Sequence, residues 1–139
     1  MSHYILDTDH VSLYQRGYAP LEAHIAAVSP DQLATTVITV EEQLRGRLAQ
    51  IRKATSTTAC VQAYRWFCET ADFFCHFTIL GFDDAAAAQF EALRQHKIRI
   101  GTQDLRIAAI ALATGNVLLT RNRRDFAQVP GLLIDDWAS

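Results

Sequence analysis

Apolar and polar positions along the chain follow two rhythms. Short runs rich in Ile, Leu, Val and Thr occur at "HYIL" (3–6), "LATTVIT" (33–39), "CHFTIL" (75–80), "NVLLT" (116–120) and "GLLID" (131–135). Such runs read as buried strands. Between them, apolar positions recur at helical spacing over 9–16, 20–28, 41–53, 56–73, 83–97 and 104–114, with a short helical turn near 123–127. Strands alternating with helices predict an α/β fold, a largely parallel sheet of about five strands with helices on its faces. Only "TST" at 55–57 separates two of the helical stretches, which predicts a helical hairpin standing off the sheet.

The predicted boundaries carry their own punctuation. Asp9, Asp83 and Thr102 suit N-caps, Pro20 suits a first turn, and Gly115 suits a helix stop. No repeat, low-complexity segment or linker interrupts the 139 residues, so the expectation is a single domain over 1–139. That length buries a substantial core without disulfides or a structural metal.

Composition narrows the class. A chain 50% hydrophobic and 20% charged is not a disordered one. The net charge of -2 does not advertise nucleic-acid binding, yet 11 of the 13 basic residues are arginine, and several cluster in "LRGRLAQIRK" and "TRNRRDF". A polyanion would therefore have to meet a local patch. The three cysteines, Cys60, Cys68 and Cys75, lack a C-x-x-C spacing and read as small core residues in a reducing compartment. No apolar run reaches the ~18 to 20 residues needed to span a bilayer, and the start of the chain shows no signal-peptide pattern. The expected location is cytoplasmic.

In an open parallel sheet, ligands bind outside the carboxyl ends of the strands, where the strand-to-helix loops open. Asp7 ends the first predicted strand, Glu42 lies in the first turn after the second, and Asp125 follows the fourth. Asp104 opens the helix that runs back to the fourth strand, which places its N-terminus at the same edge. Asp9, Asp83, Asp84, Asp135 and Asp136 also fall near that edge, and capping or the helix dipole accounts equally well for any single acid. Several like charges in one concavity repel, however, unless a cation neutralises them. Oxygen-only donors favour a hard ion such as Mg²⁺ or Mn²⁺, and hydrolysis of a phosphate ester is the chemistry that suits this arrangement.

The stretches "ILDTD", "ITVEEQLRG" (38–46) and "DLRIAAIALATGNVLLTRNRRDF" (104–126), followed by a final short strand, resemble the PIN-domain ribonucleases, especially the VapC-type toxins of toxin-antitoxin pairs. The resemblance spans essentially the whole chain and implies a PIN-like three-layer fold and a metal-dependent endoribonuclease acting on a structured RNA such as tRNA or rRNA. It implies Asp7, Glu42, Asp104 and Asp125 as the metal-binding and catalytic acids. Glu42, not Glu41, matches, because Gly46 lies four residues after it and Thr39 three before. Many relatives carry an aspartate two residues after the strand-ending threonine; here Asn122 stands there and Asp125 three further on. Asp9 is then expected to orient the loop or cap the first helix, with Thr120 and Asn122 supporting the ligating carboxylates.

Arg121, Arg123 and Arg124 sit beside the expected site and Arg45 lies on the third helix, all candidates for RNA phosphates. The resemblance further implies a homodimer and a VapB-like antitoxin laid in a groove on the early helices, for which Val11, Leu13, Tyr14, Leu44 and Leu48 offer apolar positions. His10 reads as a packed or exposed histidine, since no other His forms a metal-ligand spacing with it. Trp66 and Trp137 read as core or interface aromatics. Two other classes fit parts of the pattern. "LDTDHV" matches the D-x-D-x-[TV] opening of haloacid-dehalogenase-like phosphatases, although Lys53 and Lys97 do not match that family's phosphate-clamping lysine. The other is a PIN-like domain without catalysis that serves as a binding module.

Overall fold

The computed structural model describes residues 3–139. Five strands, β1 (Tyr4–Leu6), β2 (Leu33–Thr36), β3 (Thr78–Leu80), β4 (Val117–Leu119) and β5 (Ile134–Asp135), form one sheet in the order β3-β2-β1-β4-β5. Every neighbouring pair is parallel. The helices are α1 (Thr8–Gln15), α2 (Ala19–Ala26), α3 (Val37–Lys53), α4 (Thr57–Phe74), α5 (Asp84–Gln95), α6 (Thr102–Thr114) and α7 (Arg123–Phe126). A 3-10 turn, Pro30–Gln32, leads into β2.

Alternation along the strands divides the core into two layers. Leu6, Leu33 and Leu119 face Val11 and Leu13 of α1, Leu21 and Ile25 of α2, Phe74 of α4 and Trp137. Ile5, Ala34 and Leu118 face the opposite layer, built from α5, the apolar stripe of α6 from Leu105 to Ala111, Ile38, Phe126 and Val129. Ile5, Leu6, Leu118 and Leu119 are fully buried. Each such side chain contributes about 1.5–3 kcal/mol relative to exposure.

The strand order places the site. From β1 the chain steps outward to β2 and β3, then crosses to the other side of β1 for β4 and β5. The crossovers leaving β1 and β4 diverge, which opens a crevice at the carboxyl ends of those two strands. Asp7 follows β1 and Thr120 follows β4, and the Asp7 N–H donates to the Leu119 carbonyl at 3.1 Å, so the two chain exits are tied side by side.

Several boundaries differ from expectation. The run 33–39 is strand only as far as Thr36; its last three residues, Val37, Ile38 and Thr39, open α3. Thr36 turns the chain by capping, its Oγ1 accepting the Thr39 N–H at 3.2 Å. Glu42 therefore lies in the second turn of α3 rather than the first. The run 75–80 likewise begins with the exit of α4, and strand pairing starts at Thr78. Cys68 and Cys75 are exposed and Cys60 is half-buried, which corrects their reading as core residues; all three are free. They lie on or beside α4, whose outward face also exposes Val61 and Tyr64.

The hairpin is formed by α3 and α4 and is braced by Arg47. Its Nε donates to Thr70 Oγ1 at 2.9 Å and its guanidinium lies 5.7 Å from the Trp66 ring centroid. Arg47 is thus engaged within the hairpin. Gly115 ends α6 at φ 67°, a left-handed conformation that favours glycine. No helix of the described residues is long and apolar enough to cross a membrane.

Candidate metal and phosphodiester site

Asp7 caps α1: its Oδ1 accepts the His10 N–H at 2.8 Å, and only 7% of the residue is exposed. The cap is Asp7 rather than Asp9, because the chain turns helical one residue after β1. An N-cap carboxylate is favoured by the helix dipole, which helps hold a charge in a site otherwise costly for it.

Glu42 reaches the same edge from α3. Thr8 Oγ1 donates to its Oε1 at 2.7 Å, and Thr8 lies 3.1 Å from Thr39 Oγ1, so β1's exit and the start of α3 are linked through hydroxyls. Asp104 stands in the first turn of α6, half-buried. On α7, Asp125 Oδ2 accepts Asn122 Nδ2 at 2.9 Å, and Asn122 Oδ1 caps the helix by accepting the Asp125 N–H at 3.4 Å. Asn122 therefore aims Asp125. The hydroxyl of fully buried Thr120 accepts the Asn122 N–H at 2.9 Å, so its link to the acids runs through Asn122.

The four acids share one electrostatic environment. Burial pushes the Asp104 carboxyl above its ordinary value, and the negative charges of Glu42, Asp7 and Asp125 push it further the same way. Acids from β1's exit, α3 and α7 are thus each close enough to Asp104 on α6 to disfavour its charge. Asp7, Asp104 and Asn122 line a hollow of about 310 Å³ together with Thr8, Asp9, Ser12 and Phe126. A larger groove of about 510 Å³ meets it at Ser12 and runs between α1 and α3, with Glu42, Gln43 and Arg47 on its wall.

Asp9 faces the rim, where Arg121 forks across it: Nε lies 2.7 Å from Oδ2 and Nη2 3.1 Å from Oδ1. The Asp9 hydrogen bond raises the Arg121 guanidinium further above its usual range. Arg123 lies 3.8 Å from Asp135 at the surface, and the Arg124 side chain has no ion-pair partner among the described residues. Arg45 pairs with Glu41 at 2.6 Å. Glu41 also accepts Gln103 Nε2 at 3.0 Å; that bond, with Arg45 and Arg106 nearby, holds its carboxyl below the usual range. Glu41 therefore bridges α3 to α6, while its neighbour Glu42 faces the site.

The apolar groove expected on the early helices is differently built. Val11 and Leu13 are buried in the core, and Tyr14 packs edge-on against Phe73 and Phe77. Leu44 and Leu48 instead line a separate depression of about 390 Å³ with Glu41, Arg45, Ala49 and Arg52.

Sequence reasoning passed over Thr8, and it read His10 as a packed or exposed histidine without a link to Asp7. Thr8 sits in the "DTD" triplet, and its small hydroxyl beside a strand end was the available signal. His10 is fully buried, with its Nδ1 3.3 Å from Asp7 Oδ1. Asp7, Asp9 and His10 present ligand-type atoms within 4.8 Å of one another.

No protein-family model matches the chain, and no curated protein matches it in sequence. Solved structures do match over nearly its full length. The chain superposes on DNA-bound VapBC from Salmonella typhimurium with a TM-score of 0.81 at 24% identity, covering 99% of both chains. For VapBC-1 from nontypeable Haemophilus influenzae the TM-score is 0.77 at 22% identity, with 98% of each chain covered. For VapBC-5 from Mycobacterium tuberculosis, a member of the VapBC family of toxin-antitoxin systems, it is 0.59 at 28% identity, again with 98% of each covered. The α/β architecture expected from the PIN-domain resemblance is the architecture observed, with its parallel five-stranded sheet and flanking helices.

Proposed function

We propose that this protein is a metal-dependent endoribonuclease and the toxin of a toxin-antitoxin pair. The observation that carries the reading is the placement of Asp7, Glu42 and Asp125, from three separate segments, around half-buried Asp104, whose carboxyl burial and those charges push above its ordinary value. Like charges gathered at one strand edge are relieved by a cation. The donor set fits a hard one: the four groups are carboxylates, with a hollow open beside them. The likeness to VapBC structures supplies the biological setting.

Asp7, Glu42, Asp104 and Asp125 would hold Mg²⁺ or Mn²⁺, which supplies Lewis acidity toward a phosphodiester and makes water a competent nucleophile near neutral pH. The other residues arrange that set. Thr8 keeps Glu42 turned inward and Asn122 keeps Asp125 in place. Arg121 holds positive charge at the rim, where Arg123 and Arg124 follow in sequence, and Arg45 lies on α3. These side chains bind the backbone of a structured RNA, tRNA or rRNA. The partners are a VapB-like antitoxin and a second copy of the chain, and the setting is the cytoplasm.

The phosphatase reading fares less well. Among the described residues no lysine lines the hollow, and Asp9, the second acid of the D-x-D pattern, is turned to Arg121. The deciding experiment is cleavage of structured RNAs with Mg²⁺ or Mn²⁺, run beside a phosphomonoesterase assay, with Asp7→Asn as control. RNA cleavage lost in the variant supports the proposal. Phosphatase activity without RNA cleavage reverses it, and absence of Mn²⁺ binding by calorimetry points to a binding module.

A further inference from the structure

His10 is a fully buried polar side chain between the acidic edge and the C-terminal segment. Its Nε2 accepts the Trp137 N–H at 3.3 Å. Its Nδ1 lies 3.3 Å from Asp7 Oδ1 without completing a hydrogen bond, and it has no other partner. Trp137 is held firmly: it is 5% exposed, its ring centroid is 4.7 Å from that of Tyr4, and His24 stacks on it at 5.3 Å.

These contacts select a tautomer. A backbone N–H donating to Nε2 requires a lone pair there, so in the neutral ring the proton sits on Nδ1 and faces a carboxylate oxygen. The opposite tautomer would set two N–H groups against each other at Trp137 and a lone pair against Asp7. The acceptor available to it is Asp136 Oδ1 at 3.6 Å, beyond hydrogen-bond reach. A protonated ring nitrogen does not ligate a metal, so in this tautomer His10 leaves ligation to the carboxylates beside it.

We infer that His10 is a positioning residue: the Trp137 N–H holds its ring with the Nδ1 side facing Asp7 Oδ1 at 3.3 Å, which biases the carboxylate so that Oδ2 is the oxygen presented to a divalent cation. The inference rests on the reading of Asp7 as a metal ligand. Asp7 Oδ1 is already occupied by the His10 N–H at 2.8 Å and faced by the imidazole. Oδ2 has no protein donor among the described residues. Partners that orient a ligand commonly change metal affinity by about 10- to 100-fold when removed.

The test compares Mn²⁺ binding to the full chain by calorimetry in wild type, His10→Asn, His10→Gln and His10→Leu, with folding checked by circular dichroism. An asparagine amide falls near the Nδ1 position and a glutamine amide near Nε2. His10→Asn should therefore stay within about 3-fold of wild type, while His10→Gln and His10→Leu should weaken Mn²⁺ by about 10-fold or more. A merely structural role would lower thermal stability in all three without separating asparagine from glutamine. If the leucine variant does not fold, the other two still decide. Equal affinity in wild type and His10→Gln overturns the inference. So does a ¹⁵N histidine spectrum of the metal-free protein with the His10 proton on Nε2. Failure of the wild type itself to bind Mn²⁺ overturns the metal reading, and the positioning role with it; the tautomer spectrum then shows whether the His10 geometry was right.

Discussion

Arg121 lies bidentate across Asp9, with its two donors 2.7 and 3.1 Å from the two carboxylate oxygens. The pair joins the loop after β4 to the first turn of α1 at the rim of the acidic hollow, and both side chains remain about half exposed, at 49% and 42%. A pair this open is screened by solvent and adds little to stability. Under the proposed function, the pair parks a planar cation where a substrate phosphate would arrive.

Arg121→Ala is therefore expected to leave the melting temperature nearly unchanged and to weaken RNA binding. In a titration over salt concentration, the slope of log affinity against log salt should fall by about one, the signature of one lost phosphate contact. An unchanged slope would remove Arg121 from the RNA surface.

Thr8→Val keeps the shape of the side chain and deletes the hydroxyl that donates to Glu42 Oε1 at 2.7 Å. Glu42 then loses the group that turns it toward the site. Mn²⁺ affinity measured by calorimetry should fall by about 10-fold or more, while stability changes by about 1 kcal/mol. Unaltered affinity would show that Glu42 needs no such guide.

Asp104 gives a prediction with a defined sign. Its carboxyl binds a proton more tightly in the folded chain, so its effect on stability is most favourable below its ordinary value and is lost as pH rises through its raised folded value. In chelator-treated protein, Asp104→Asn should melt higher than wild type at neutral pH. The gap should close as pH is lowered through the window between those two values. The same substitution should abolish RNA cleavage. A variant that melts lower than wild type at neutral pH would mean that the Asp104 charge is not disfavoured in the folded chain.

Gly115→Ala tests the turn between α6 and β4. At φ 67° an alanine is strained by about 1–2 kcal/mol, whatever space surrounds it. Denaturant unfolding should show that loss, and Mn²⁺ affinity of the folded fraction should be unchanged.

Much of this was legible in the chain, for reasons that differ by element. Strands β1 and β4 announce themselves because both faces are buried, so "YIL" and "VLL" are uninterrupted apolar runs. The start of α3 was misplaced because Val37, Ile38 and Thr39 are all β-branched, with Ile38 and Thr39 buried, and periodicity cannot separate a short helix turn of this kind from a strand. Asp7, Glu42 and Asp104 could be nominated from their places after strands and at helix starts. The cysteines misled because α4 projects from the sheet and leaves one face in solvent. The role of His10 had no local signal: its partner, the Trp137 N–H, lies 127 residues along the chain and is a main-chain group with no side-chain signature.

Strands β1 and β4 are side-by-side in the sheet but separated by more than a hundred residues of chain. A polypeptide emerging from the ribosome therefore carries Asp7 and Glu42 long before Asp104 and Asp125 exist to face them. Until the last third of the sequence has been synthesised, a nascent chain carries only half of these acids, so translation order makes the acidic edge one of the last features to be completed.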